Sequence, residues 1–420
     1  MLNEDFALKN EGLSNYTDTK SLPRHRWYYY KEGFSPNLVN SAIQRYDLDE
    51  SSLLIDPFNG SGTTTLTASL KGINSVGIEV NPFTSYLAET KQVNADPQKL
   101  EDELSSFINA VKSGSVSPLL EYSTFSEKTG KSKWLFNSEV LNSFEGGWER
   151  TNKIQSYHVK RLFRLALIIS AMKNCNAKKD GKCLRYYPHW KDLKFDQESF
   201  LLELNNTLDT MMKDLSDSKL RGAAKLLNSD VRNSDSYSDE IKGFDLCVTS
   251  PPYLNTFDYT DIYRPELFLG KFVENNEQLY NLRLKTVRSH VQASWKVPKN
   301  DNFGALYSKA IEQICISEEK LMHKNIPLMI QAYFEDMQNI LLSLRKRASK
   351  RSSIWLVVST SAYAGVEIPV DLILGELGNK TGWYLKEIGV LRYLKKRKSK
   401  HSKNINQLRE SVVILDSYKD

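Results

Sequence analysis

A rigid, aromatic motif follows one of the strand patterns in this 420-residue chain. The mostly apolar run at residues 244–248 has the pattern of a buried strand, and after it and Thr249 come Ser250, Pro251, Pro252 and Tyr253. Proline fixes φ and carries no N–H, so the carbonyls near it remain free to accept hydrogen bonds. The ring of Tyr253 adds a flat face beside those acceptors. We therefore expect a catalytic pocket that stacks a planar ring and accepts hydrogen bonds from an amino group on its rim.

A second motif, nearer the N-terminus, combines a strand, a glycine turn and a threonine-rich helix start. The strand pattern ends at Asp56, Gly60 and Gly62 form the turn, and Thr63 begins the helix. Glycine allows positive φ and a close approach of the backbone to a ligand. The helix N-terminus offers unpaired N–H groups to a carboxylate, and Asp56 could pair with an ammonium group. Both charged ends of an amino acid are thus provided for, which suits the methionine half of S-adenosylmethionine.

The next strand pattern, at residues 75–79, ends in an acid. Glu79 lies 17 residues after Gly62, and an acid at such a place typically holds ribose hydroxyls. The alternative is that the two motifs are unrelated tight turns of an ordinary α/β domain. We interpret the turn and the acid together as a nucleotide-type cofactor site.

Taken together and in this order, the two motifs resemble those of the amino-methylating DNA methyltransferases, the N4-cytosine and N6-adenine enzymes. The matching residues read Asp-Pro-Phe-x-Gly-Ser-Gly-Thr-Thr at 56–64 and Ser-Pro-Pro-Tyr at 250–253, where the family signature is (Asp/Ser/Asn)-Pro-Pro-(Tyr/Phe). The resemblance covers about residues 50–92, 225–270 and 350–416. It implies S-adenosylmethionine as cofactor, double-stranded DNA as partner, and a seven-stranded, mostly parallel sheet with an antiparallel terminal strand.

The resemblance also implies further cofactor contacts. In the family a Phe-x-Pro helix near the N-terminus packs beside the methionine end, which points to Phe34, and an acid at the place of Asp230 accepts a hydrogen bond from the adenine amino group. A loop acid that caps a helix is the alternative for Asp230. The candidate cofactor-binding residues are Phe34, Asp56, Phe58, Gly60, Gly62, Thr63, Glu79, Asn81 and Asp230.

The expected reaction is methyl transfer to an exocyclic base amine. If Ser250 and the carbonyl of Pro251 accept from both amine hydrogens, the nitrogen lone pair is freed to attack the sulfonium methyl, while Tyr253 stacks on the flipped-out base. In the family, a first-position serine usually accompanies cytosine and aspartate usually accompanies adenine. We predict a site-specific cytosine-N4 DNA methyltransferase, in restriction–modification or as an orphan enzyme. An N6-adenine DNA methyltransferase, an RNA base amino-methyltransferase and a non-enzymatic DNA-binding protein are the alternatives.

The strand pattern is interrupted by a long stretch with helical spacing. Strands and helices alternate near residues 53–79, the stretch from about 96 to 220 has helical periodicity, and strands resume only at residue 245. We therefore predict an α/β fold with a Rossmann-like, seven-stranded methyltransferase sheet and a large helical insertion. The predicted divisions are 1–95, the N-terminal segment and first part of the cofactor-binding domain; 96–220, the insertion; and 221–420, the remainder with the catalytic motif.

Two basic segments are candidates for DNA contact. Residues 150–191 hold eleven lysines and arginines against one acid, with interleaved aromatics, a combination that suits phosphate neutralisation and base contact. A solvated helical face is the alternative. The second segment is an acid-free loop within residues 392–409, between the last two strand patterns. The candidate DNA-binding residues are Arg185, Tyr187, Trp190, Lys395, Lys396 and Arg397.

Composition sets the remaining bounds. The formal net charge is +6, and the four cysteines show neither a metal spacing nor a disulfide framework. No secretory signal and no run of eighteen apolar residues is present. We expect a cytoplasmic protein that binds no membrane and no metal, and that acts with or without a cognate restriction endonuclease.

Overall fold

A mixed β-sheet forms the centre of the protein. The computed structural model describes residues 2–6, 16–181, 183–395, 405 and 407–419. The strands of the sheet are Leu2–Asn3 (β1), Leu53–Asp56 (β2), Asn74–Glu79 (β3), Ala224–Asn228 (β6), Phe244–Thr249 (β7), Ala348–Ser359 (β8), Tyr384–Lys395 (β11) and Gln407–Asp416 (β12). Their order across the sheet is β1-β11-β12-β8-β7-β2-β3-β6.

The pairing directions confirm the predicted fold class. Strands β6, β3, β2, β7 and β8 run parallel to one another, whereas β12 runs antiparallel to both β8 and β11. The two-residue strand β1 adds to the edge, parallel to β11. Without that short strand, the sheet is the expected Rossmann-like, seven-stranded sheet with an antiparallel terminal strand.

The strand–helix alternation places the two sequence motifs at one edge. The central strands are apolar and buried because helices cover both faces of a parallel sheet. Helix Thr63–Leu70 begins where the sequence predicts, and Ser35 caps helix Pro36–Arg45 by accepting from the N–H of Asn37. Because β2, β3 and β7 are adjacent and parallel, their carboxyl ends meet at the same edge.

The stretch predicted as a helical insertion is mostly helical but also contains a β-hairpin. Its helices are Pro97–Ser113, Ser138–Thr151, Tyr157–Lys173 and Gln197–Asp217. Ala177–Asp180 (β4) and Cys183–Tyr186 (β5) pair antiparallel between the third and fourth helices. The purely helical interpretation is thus wrong for the basic stretch around Arg185, which lies on the hairpin. Phe107 and Leu162 of this stretch share one apolar core with Trp27 and Tyr263.

The sequence interpretation also missed strand β6. The pattern indicated that strands resume only at residue 245, but β6 already pairs with β3 over residues 224–228. This strand lies at the edge of the sheet and carries exposed Lys225 and Asn228, so its sequence lacks the apolar run of a central strand.

The remaining elements complete the layers around the sheet. A short antiparallel pair, Ser361–Tyr363 (β9) with Val366–Ile368 (β10), follows β8. The other α-helices are Pro82–Lys91, Tyr259–Ile262, Arg264–Leu269, Asn276–Arg283, Ala305–Ile316, Ile326–Arg347 and Val370–Lys380. Single 3₁₀ turns occur at Tyr16–Lys20, His25–Trp27, Glu127–Thr129, Trp190–Asp192, Ser234–Tyr237 and Glu318–Lys320. In the described part of the chain, none of the helices combines the length and apolar character needed to cross a bilayer.

Candidate active site

A cleft of about 890 Å³ lies at the carboxyl ends of β2, β3 and β7. It brings together most of the residues predicted to bind a cofactor, and two of the four predicted catalytic residues. The predicted residues that line it are Phe34, Phe58, Gly60, Thr63, Glu79, Asn81, Asp230, Ser250 and Pro252. The predicted residues that do not line it are Asp56, Gly62, Pro251 and Tyr253.

The glycine turn forms one wall of the cleft and needs its glycines. Gly60 has φ of +47° and Gly62, which precedes the first residue of helix Thr63–Leu70, has φ of +84°. A Cβ on Gly60 would come within 3.2 Å of Cε1 of Tyr30, and one on Gly62 within 3.0 Å of Cβ of Ala88. Positive φ strains any other residue by about 1–2 kcal/mol. Backbone strain and lack of space therefore both select glycine here.

Asp56 lies beneath the turn rather than on the surface of the cleft. Its Oδ1 accepts hydrogen bonds from Oγ1 of Thr249, at 2.6 Å, and from the N–H of Phe58, at 3.0 Å. Only 1% of the residue is exposed, and burial raises the pKa of its carboxyl to about 6. Asp56 thus ties the end of β2 to the end of β7, and with it the glycine turn to the Ser-Pro-Pro-Tyr segment.

Glu79 accepts hydrogen bonds from two backbone segments that line the cleft. One carboxylate oxygen accepts from the N–H of Gly60 at 2.7 Å, and the other accepts from the N–H of Asn81 at 2.7 Å. Burial raises the pKa of this carboxyl to about 7, although these two N–H groups act against the shift. Glu79 lines the cleft, and a carboxylate that accepts two hydrogen bonds can still accept hydroxyl hydrogens.

Two other predicted contacts have structural partners of their own. Asn81 caps helix Pro82–Lys91 by accepting from the N–H of Phe83. Asp230 makes a bidentate ion pair with Arg232, at 2.7 Å and 3.0 Å, and does not cap a helix. Because a carboxylate can accept more than two hydrogen bonds, the ion pair leaves Asp230 able to accept from an amino group in the cleft.

The four-residue motif after β7 is fixed by the sheet and by the terminal hairpin. The hydroxyl of Ser250 donates to the carbonyl of Val357 on β8, at 3.2 Å. The hydroxyl of Tyr253 donates to Oε1 of Glu410 on β12, at 2.8 Å. Burial, and the charge of Glu410, raise the pKa of Tyr253 well above its usual value, so the phenol stays protonated.

The N-terminal segment supplies a wall of the cleft that the predicted cofactor-binding residues did not include, apart from Phe34. Tyr30 and Glu32 line the cleft next to Phe34, and Tyr30 stacks on Tyr263 with ring centroids 5.5 Å apart. The hydroxyl of Tyr263 donates to Glu32. The aromatic run at residues 27–30 is the sequence signal that could have identified this wall.

Further lining residues come from segments with no motif. Asn59 and Tyr259 lie in the wall with Lys285 and Thr286. Among the described residues, the buried side-chain amide nitrogen of Asn59 has no hydrogen-bond partner, so it offers a donor to a ligand. A glycine cradle, a carboxylate and an unpartnered amide donor together fit a cofactor with an amino-acid end and a ribose.

The candidate DNA-binding residues lie apart from the cleft. Arg185 pairs with Asp180 across the hairpin, at 2.7 Å. Trp190 packs edge-on against Trp134, with ring centroids 4.6 Å apart. Tyr187 lines a second cleft, of about 980 Å³, between the hairpin and the N-terminal segment.

The predicted terminal-loop contacts fall mostly outside the described residues. Lys396 and Arg397 lie outside them, and for Lys395 only the backbone is described, at the end of β11 opposite Gln407. Among the residues that are described, no three His, Cys, Asp or Glu side chains form a group that could hold a metal ion.

The chain is similar in sequence to several known methyltransferases. A family model described as DNA methylase, for the N6 and N4 methyltransferases, matches residues 7–90. The chain is 25% identical over 419 residues to the Type II methyltransferase M.AvaI of Nostoc sp., covering 93% of this chain and 84% of the relative. It is 27% identical over 469 residues to the Type II methyltransferase M.BsoBI of Geobacillus stearothermophilus, covering 98% and 89%. A solved rRNA methyltransferase of Streptomyces viridochromogenes aligns with a TM-score of 0.29 and 11% identity, over 92% of this chain and 86% of that one.

Proposed function

We propose that this chain, which belongs to the amino-methylating DNA methyltransferases, transfers a methyl group from S-adenosylmethionine to the exocyclic N4 amine of cytosine in duplex DNA. One observation carries the proposal. The glycine turn and the Ser-Pro-Pro-Tyr segment, almost 190 residues apart in the chain, contribute Gly60, Ser250 and Pro252 to the same cleft. A methyl donor held by the first would lie beside a base held by the second.

The cofactor end of the cleft supplies groups for each part of S-adenosylmethionine. The turn at Gly60 and the start of the helix at Thr63 would receive the amino-acid end, and Glu79 would accept from the ribose hydroxyls. Asp230 would accept from the adenine amino group. Asp56 would then act mainly from below, by holding the turn in place through Thr249 and Phe58.

The part of the cleft that would hold the target nucleobase needs hydrogen-bond acceptors rather than a group that removes a proton. S-adenosylmethionine, when bound, supplies an electrophilic methyl group. The amine of cytosine is a weak nucleophile because its lone pair is delocalised into the ring. Ser250, whose hydrogen is engaged by Val357, and the carbonyl of Pro251 would accept hydrogen bonds from the two amine hydrogens and so localise the lone pair on nitrogen. As that nitrogen bonds to the methyl carbon, the carbon–sulfur bond would break, and one amine proton would pass to water. Tyr253 would stack on the base once it has left the duplex.

Cytosine rather than adenine is the target we propose, because serine occupies the first position of the four-residue motif. Adenine presents a similar amino group beside a ring nitrogen, so the geometry of acceptors alone favours neither base. The relatives named as Type II methyltransferases support a Type II modification system for this chain. We propose a cognate restriction endonuclease as its partner. We propose that residues 96–220 include the recognition region and that Arg185, Tyr187 and Trp190 contact DNA.

Tritium transfer from labelled S-adenosylmethionine tests the activity. Unmethylated duplex DNA should accept label and tRNA should not, and nucleoside analysis should find N4-methylcytosine. Ser250→Ala should lower the rate of methyl transfer. The control is Ser352→Ala, which removes a buried serine hydroxyl on β8 that bonds to the carbonyl of Phe244 and should leave the rate unchanged. N6-methyladenine as the product would refute the choice of base. Label in tRNA alone would refute the choice of nucleic acid.

Single-molecule sequencing of DNA from a host that expresses the protein should locate the modified base within one recognition sequence. Methylation scattered without a consensus sequence would contradict a site-specific enzyme. DNA from a host that expresses Ser250→Ala is the matched control and should lack the modification.

A further inference from the structure

The hydroxyl of Tyr253 has a buried acidic partner from the far end of the chain. Glu410 lies on β12, and its Oε1 accepts from Tyr253 at 2.8 Å. Its other oxygen, Oε2, accepts from Nε of Arg392 on β11, at 2.5 Å. Only 6% of the Glu410 side chain is exposed. A buried carboxylate is costly unless its oxygens are paired, and this one has a neutral and a cationic donor.

A β-bulge brings Arg392 to this position. Along the β11–β12 ladder Val390 lies opposite Ser411, but the next pair is Arg392 opposite Glu410. An uninterrupted ladder would place Leu391 there, since the register shifts by one residue between Val390 and Arg392. A bulge re-aims the side chains that follow it. The guanidinium of Arg392 faces Glu410 because the bulge adds one residue to β11.

We infer that Glu410 is a positioning residue, which fixes the ring of Tyr253 for stacking on the target base. The inference rests on the function proposed above. The hydroxyl oxygen of a tyrosine lies on the axis about which its ring turns, so a hydrogen bond there fixes the direction of that axis. Because a phenol O–H bond prefers the plane of the ring, the position of the acceptor also favours one ring plane. Arg392 in turn holds Glu410, so the ring enters catalysis already oriented. Glu410 bonds to Arg392 and to the hydroxyl of Tyr253, and it acts only through Tyr253.

Four variants distinguish positioning from a general structural role. Glu410→Leu removes the acceptor, Glu410→Gln keeps an oxygen for Tyr253 but loses the charge, and Tyr253→Phe removes only the donor. As control, Asp371→Asn disturbs a second ion pair on β12, between Arg409 and Asp371 of helix Val370–Lys380, at 2.8 Å. Asp371 hydrogen-bonds to Arg409 and Ser411 of β12 rather than to the motif after β7.

Single-turnover transfer to unmethylated duplex DNA is the readout, with S-adenosylmethionine affinity measured separately. Glu410→Leu and Tyr253→Phe should each slow transfer about tenfold, the value of one net hydrogen bond, with cofactor affinity unchanged. The double variant should be no slower than either one. Glu410→Gln should recover most of the rate, and Asp371→Asn should retain it.

Three results would overturn the inference. These are a wild-type rate in Tyr253→Phe, rate reductions that multiply in the double variant, and no recovery in Glu410→Gln. If Glu410→Leu fails to fold, Tyr253→Phe and Glu410→Gln decide the matter. Failure of the proposed function would differ from all three, because the wild-type protein would then transfer no label to any duplex.

Discussion

Cofactor binding should strengthen about tenfold as the pH rises from 6 to 8, because Glu79 must be charged to accept from ribose hydroxyls. Burial raises the pKa of this carboxyl to about 7 in the free protein. Hydroxyl donors favour the charged form, so binding lowers that pKa and releases a proton. Cofactor affinity therefore increases with pH and becomes constant above the pKa that Glu79 has in the free protein.

The magnitude comes from the charged fraction. With a pKa of about 7, about 9% of the Glu79 carboxyls are charged at pH 6 and about 91% at pH 8, and apparent affinity scales with that competent fraction. Most of the change lies between pH 6 and 7. Asp56, with a pKa raised to about 6, adds at most about a further factor of two at the acidic end.

Titration calorimetry at pH 6, 7 and 8, at constant ionic strength and in two buffers of different ionisation enthalpy, measures both affinity and proton release. The free protein also loses stability over this range, since a carboxyl with a raised folded-state pKa stabilises the fold only at lower pH. The titration is therefore run well below the melting temperature. Glu79→Gln should bind more weakly and with little pH dependence. An affinity that is constant from pH 6 to 8, or that is higher at pH 6, would refute the reasoning.

Three further predictions concern the other parts of the site. Gly60→Val should abolish cofactor binding in calorimetry while the circular dichroism spectrum persists, because its φ is positive and a Cβ would press on the ring of Tyr30; retained binding would contradict the assignment. Tyr253→Ala should remove stacking worth about 1–3 kcal/mol and so slow methylation sharply, with cofactor affinity nearly unchanged; a normal rate would mean that the motif is only structural. Neutralising residues 395–397 should weaken binding to all duplexes alike. The slope of log affinity against log salt concentration should fall by about one for each phosphate that is no longer neutralised, whereas Trp190→Ala should change which sites are methylated. The opposite division between loop and insertion, seen in binding and sequencing assays, would overturn the placement of the recognition region.

The sequence by itself determined the chemistry-bearing motifs, their order and the strands that carry them. Strand β2, helix Thr63–Leu70 and the motif after β7 were predictable because their signals are local: an apolar run, a glycine turn and a proline pair. Parallel pairing of adjacent strands then required the motifs to meet at one edge. The edge strand β6 and the hairpin around Arg185 were not predictable. Their strands are short, half-exposed and rich in polar residues, so no apolar run marked them.

Only the tertiary structure decided which polar groups pair with which. Asp56 was expected to face an ammonium group, but it bonds to Thr249, a residue 193 positions away. Tyr253 bonds to Glu410, 157 positions away, through a register that depends on a bulge between Val390 and Arg392. Such partners are set by the order and register of strands that are distant in the chain. Local sequence specifies that a strand forms, whereas the packed sheet specifies what its side chains contact.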